Sequence, residues 1–128
     1  MNKKREKWFR YFIYWWMLAF GWAAFIQLFL PDKVASHTSW GMAPGWQREI
    51  ALWNLGTIAM LFGILKAKIP LTRTVIPGLC FLFLLLGLNH LWQVLQTPGQ
   101  HGFTIVIMNF IPLLAVSLVL YVTRKEDA

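Results

Sequence analysis

Gly45-Trp46-Gln47-Arg48-Glu49-Ile50-Ala51-Leu52-Trp53-Asn54-Leu55-Gly56 decides how this chain is read. The stretch opens a long apolar segment, yet it carries a charged pair and an amide in its first turns. Glu49 is the only acid that begins a membrane-length segment and runs on into it. A carboxylate in that position is costly unless it has a partner or a task. The functional reading therefore starts at Glu49.

The segment that follows is one of four of similar kind. Apolar runs cover roughly residues 8–30, 49–65, 75–96 and 103–122. A hydrocarbon core of about 30 Å takes about 20 helical residues, with a range of about 17–25, and all four runs fit. Of the 128 residues, 58% are hydrophobic and 13% charged, against about 25% charged in a soluble domain. The expectation is an all-α, integral membrane four-helix bundle forming a single domain over 1–128.

The formal net charge of +7 would suit nucleic acid, but its placement points elsewhere. Lys3, Lys4, Arg5, Lys7 and Arg10 precede the first run, Lys66, Lys68 and Arg73 separate the second and third, and Arg124 and Lys125 follow the fourth. These places hold ten of the twelve basic residues, and the remaining two, Lys33 and Arg48, lie in or beside the first loop. The positive-inside rule puts both termini in the cytoplasm of a bacterial inner membrane. Membrane lipids are then the expected partners of the basic ends, at about 1 kcal/mol per residue near an anionic surface, and nucleic acid is not.

Val34-Ala35-Ser36 faintly resembles a cleavage site, but the aromatic run before it is longer than the usual signal core of about 7–15 residues. We read it as a retained helix. Cys80 is the single cysteine, so an intrachain disulfide is excluded and a small buried apolar residue is expected. Pro31-Asp32 ends the first helix, and the apolar external loop, with His37, Trp40, Pro44 and Trp46, is expected to fold back on the membrane. The second helix is expected to begin near Trp46–Arg48, with Glu49 in its first turn, where the helix dipole favours a carboxylate. Thr74 is the expected N-cap of the third helix, which puts Pro77 in its first turn. Pro112 lies inside the fourth helix and frees the carbonyl of Met108.

Placed at 1.5 Å per residue, the strongly polar side chains within the runs collect in the outer half. Gln27 lies near the outer end of the first helix, Glu49 and Asn54 near that of the second, Asn89, His90, Gln93 and Gln96 near that of the third, and Asn109 two turns into the fourth. On the second helix Glu49, Trp53, Gly56, Met60 and Gly63 follow steps of four and three and form one stripe. Asn54 lies about 140° around from Glu49 on the 3.6-residue period. The candidate ligand-binding residues are Glu49, His90, Asn54, Asn89, Gln93, Asn109, Arg48 and Trp53, with Trp92 adding to the aromatic wall. Plain alternatives stand beside this reading. The asparagines could be interhelical hydrogen bonds, worth about 0.6 kcal/mol each on average, Arg48 and Glu49 could be a snorkelling interfacial pair, and His90 could be a neutral core histidine. Glu49 and His90 could also exchange a proton. A metal held by Glu49, His90 and either His37 or His101 lacks a recognised ligand spacing, so neither metal nor cofactor is expected.

The run Trp46-Gln47-Arg48-Glu49-Ile50-Ala51-Leu52-Trp53-Asn54-Leu55-Gly56 resembles a pattern in small, uncharacterised four-helix bacterial membrane proteins of the broad DoxX-like kind. That resemblance implies the four-span plan and no established reaction. The use of Glu, His, Asn and Trp is similar only in design to the four-helix sterol-isomerase-like membrane proteins, with no shared motif. The expected function is an outward-facing intramembrane polar site that binds or permeates a small molecule or ion, in a homo-oligomer. An intramembrane enzyme acting on a lipid-like substrate, with Glu49 and His90 as acid and base, and a non-catalytic accessory subunit of a membrane complex are the alternatives.

Overall fold

The computed structural model describes residues 3–37, 41–67, 71, 75–96 and 103–126, the last three by backbone alone. The elements in chain order are α1 (Lys3–Phe29), α2 (Pro31–Ser36), α3 (Pro44–Lys66), α4 (Ile76–Gln96) and α5 (Phe103–Glu126). The described residues contain no strand. Four helices, Lys3–Phe29, Pro44–Lys66, Ile76–Gln96 and Phe103–Thr123, are long and apolar enough to cross a membrane. The all-α, four-helix expectation holds, and the chain is a small multi-pass membrane protein.

The helices outrun the apolar segments that announce them. The 27 residues of α1 span about 40 Å at 1.5 Å each, nearly the full depth of a bilayer with its headgroups. The basic residues Lys3 to Arg10 are therefore part of the helix rather than a tail before it. Helix α3 begins at Pro44, with the proline at its start, where the missing N–H would have had no partner anyway. This early start corrects the placing of Glu49. Counted from Pro44, Glu49 is the sixth helical residue, and no acid lies in the first turn. The dipole's effect fades within that turn, so it does little for Glu49. Between α1 and α3 the chain forms the short helix α2, opened by Pro31. The Ser36 hydroxyl donates to the Lys33 carbonyl at 2.9 Å.

The chain falls into two compact units. One comprises residues 13–69, the greater part of α1 with α2 and α3. Here α1 turns Ile13, Trp16, Phe20 and Ala24 inward, and α3 turns Gln47, Ala51, Leu61 and Leu65 inward. Both sets follow steps of three and four, or their sums, as a helix face requires. Asn54 and Ile58 complete the α3 stripe. A Cβ placed on Gly21 would lie 3.8 Å from the Ile58 Cδ1. Three pairings, Gly21 with Ile58, Gln27 with Asn54 and Pro31 with Gln47, run in opposite directions along the two helices. The helices are therefore antiparallel.

The other unit comprises residues 1–12 and 70–128. Its centre is the antiparallel pair α4 and α5. Helix α4 buries Ile76, Leu79, Phe83 and Gly87, and α5 buries Val106, Asn109, Pro112, Val116 and Thr123. Gly87 permits the close approach: a Cβ there would sit 2.9 Å from Cε2 of the Phe110 ring and 3.4 Å from the Asn109 Cβ. Pro77 stands in the first turn of α4, as expected; Thr74 lies outside the described residues. The start of α1 joins this unit through Phe9, which is wholly buried, and through Arg5. The Arg5 Nε donates to the Thr123 Oγ1 at 2.7 Å, and that hydroxyl donates to the Val119 carbonyl at 2.7 Å. Cys80, half-buried, lines an apolar hollow with Phe9, Ile76, Leu113 and Val116.

Candidate functional site

Helix α3 has two faces of opposite character. The packed face runs Gln47, Ala51, Asn54, Ile58, Leu61, Leu65. The other runs Glu49, Trp53, Gly56, Met60, Gly63. Two residues apart means about 200° around the helix, so the stripes are nearly back to back. Glu49, Trp53, Gly56 and Met60, joined by Leu52 and Thr57, line a hollow of about 470 Å3. All six lining residues belong to α3, so the hollow is an open one along a single helix face.

The hollow has a definite chemistry. Glu49 supplies a carboxylate at one end. Trp53, 77% exposed, lends an indole, and Leu52 and Met60, 62% and 60% exposed, lend apolar walls. Gly56 has no neighbour within 4 Å of where its Cβ would be, so it forms an open floor. Thr57 brings no free donor, because its hydroxyl is spent on the Trp53 carbonyl at 2.9 Å. Among the described residues, Glu49 is thus the only ionisable group that lines the hollow. Arg48 and Glu49 are both exposed, and neither side chain has an ion pair or hydrogen bond among the described residues. Neighbours in sequence on a helix point about 100° apart, which keeps the two from facing each other.

Asn54 looks the other way. Its Nδ2 donates to the Gln27 Oε1 at 3.2 Å, a link from α3 to α1. Gln47, which composition did not single out, is buried at 3% exposure. Its Nε2 donates to the Pro31 carbonyl at 3.3 Å, while its Oε1 is buried with no hydrogen-bond partner among the described residues. The signal that marks Gln47 is its register, four residues before Ala51 and seven before Asn54.

Asn89, His90, Gln93 and Asn109 belong to the other unit. Asn89 is exposed, and His90 and Gln93 are half-buried, neither of them without a partner. Asn109 is buried, and its Nδ2 donates to the Ile105 carbonyl at 2.7 Å. That carbonyl lies one turn back on the same helix; the Met108 carbonyl freed by Pro112 is not its acceptor. Trp92 is 64% exposed. His37 is exposed, with Nδ1 2.8 Å from the Lys33 carbonyl and 2.9 Å from the Ser36 hydroxyl. His101 lies outside the described residues. Among those residues, no three histidine, cysteine or acidic side chains come together as metal ligands would.

No curated protein matches this chain, and no solved structure does. The expected kinship with uncharacterised membrane proteins agrees with what the family comparison returns, though a DoxX-like relationship is not shown. A family model matches residues 1–128, and the chain accordingly belongs to that family, described as a family of unknown function (DUF6790).

Proposed function

We propose that this protein binds a small cationic molecule at the α3 hollow, on the outer side of a bacterial inner membrane. One observation carries the reading: a lone carboxylate, an exposed indole and apolar walls converge on one hollow of ligand size. A cation over the face of tryptophan gains about 0.5–2 kcal/mol, depending on its desolvation. Glu49 would add the counter-charge, and Leu52 and Met60 would cover an apolar body. An organic cation fits this set better than a bare metal ion, which needs several oxygen ligands. Arg48 beside the rim would disfavour a second positive charge. His90, Asn89 and Gln93 on α4 remain candidates for a separate contribution. Asn54 and Asn109, with their amides already engaged, serve packing.

The orientation rests on the distribution of basic residues. Ten of twelve lie at the two termini and between the second and third spans, so both termini are cytoplasmic and Glu49 faces outward. The test is binding of tetraphenylphosphonium to the purified protein, read by calorimetry. Glu49→Gln is expected to weaken binding about tenfold, or about 1.4 kcal/mol. Trp53→Leu is expected to weaken it about threefold or more, the lower part of the cation–π range. Unchanged affinity in both Glu49→Gln and Trp53→Leu would remove the hollow as the site.

A second reading is favoured by a specific feature. Gly56 and Gly63, seven residues apart on the same stripe, both have open space where a side chain would stand. Small residues in that register admit a neighbouring helix. The hollow would then receive a partner subunit or a second copy of the chain, as an accessory or oligomeric protein would require. Gly56→Leu separates the two readings: it would abolish a helix–helix complex, measured by cross-linking in the membrane.

A further inference from the structure

A second hollow lies within the unit formed by residues 1–12 and 70–128. It has a volume of about 410 Å3 and is lined by Lys4, Trp8 and Phe12 of α1 and by Ala115, Leu118, Val119, Val122 and Thr123 of α5. Lys4 to Phe12 is eight residues, and so is Ala115 to Thr123. Each span is about 12 Å at 1.5 Å per residue, so the hollow is a groove running along the helices. Its chemistry is graded. Lys4 stands at one end, Trp8 follows one turn on, and everything beyond is hydrocarbon. The Thr123 hydroxyl at the charged end is already engaged by Arg5 and by the Val119 carbonyl.

We propose that this groove is a binding site for an anionic glycerophospholipid of the leaflet in which the chain's termini lie. One acyl chain would lie along Phe12, Ala115, Leu118 and Val122, with the phosphate beside Lys4 and the Trp8 indole at the level of the glycerol. Charge complementarity selects this occupant. Lys3 and Lys7 stand beside Lys4 on the same helix, and Glu6 faces Arg10 at 3.6 Å. Basic groups at a helix end recruit anionic headgroups, and tryptophan favours the boundary between chain and headgroup. A lipid matches both the basic end and the apolar length of the groove. The site uses none of the residues of the α3 hollow, so it stands or falls independently of the cation-binding proposal.

The full-length protein is reconstituted in phosphatidylcholine vesicles that carry, at equal mole fraction, either phosphatidylglycerol or phosphatidylcholine with brominated acyl chains. Quenching of Trp8 is obtained as the difference between the native chain and Trp8→Phe. Brominated phosphatidylglycerol is expected to be preferred at Trp8 about fivefold, the effect of one lysine near an anionic headgroup. Lys4→Gln should bring the preference close to parity, Lys3→Gln should leave most of it, and Ala115→Leu should reduce quenching by both lipids. Equal quenching by the two lipids in the native chain would overturn the proposal in favour of bulk lipid. Equal losses in Lys4→Gln and Lys3→Gln would overturn it in favour of diffuse charge. Protection of Trp8 from both lipids would overturn it in favour of a protein occupant.

Discussion

The asparagine at position 54 shows what a single polar residue does in this protein. It opposes the Glu49 stripe, and it bonds Gln27 across to α1. Such bonds within membranes average about 0.6 kcal/mol, so Asn54→Leu should lower stability by about 0.5–1 kcal/mol, measured by unfolding in detergent. The partner's stranded amide adds to that loss, so Gln27→Leu with Asn54→Leu should cost less than the sum of the two single changes. A strictly additive pair would mean that the bond contributes nothing. Ser117, Thr57 and Thr123 show a second use of polar atoms: each hydroxyl returns to a carbonyl four residues back on its own helix. That removes the cost of an unsatisfied group in hydrocarbon without needing a partner.

At the scale of the element, the same residue type has opposite consequences on different faces. Gly87 is pressed by the Phe110 ring, and Gly78 has nothing near it. Gly87→Leu should overpack the α4–α5 contact and cost about 1–3 kcal/mol. Gly78→Ala should be neutral or stabilising by up to about 1 kcal/mol, through helix propensity alone. Thermal melts of the two variants check the pair, and equal effects would contradict the packing described. Helix α3 makes the related point about register. Its packed and open stripes differ by two residues in the chain. The apolar run of residues 49–65 was legible without that division, because nearly every side chain in it is compatible with either face. The stripe Glu49, Trp53, Gly56, Met60 was also legible, because the helical period alone assembles it. The role of Gln47 was not, since its burial depends on α2 and Pro31 standing opposite.

For the whole molecule, the placing of the basic residues makes a topological prediction. With Cys80 replaced by alanine, single cysteines at Ser36 and Lys66 should be labelled by an impermeant maleimide from opposite sides of the membrane. Labelling of both from the same side would overturn the cytoplasmic placing of the termini and the outward placing of Glu49 together. The N-terminal turn of α1 is held to the end of α5 by Arg5 and Thr123, which are 118 positions apart.

What the chain determined by itself was the membrane and the number of spans. These depend on summed apolar length, which is a property read along one dimension. Helix ends were less accessible, because Pro44 and Lys3 extend α3 and α1 by geometry rather than by hydrophobicity. Only the tertiary structure decided which polar atoms find partners: Asn54 with Gln27, Arg5 with Thr123, and Asn109 with its own helix. It also left Glu49 and Trp53 together on an open face. The Asn54–Gln27 and Arg5–Thr123 bonds depend on distances in space between residues far apart in sequence, where helix rotation separates a structural hydrogen bond from an available site.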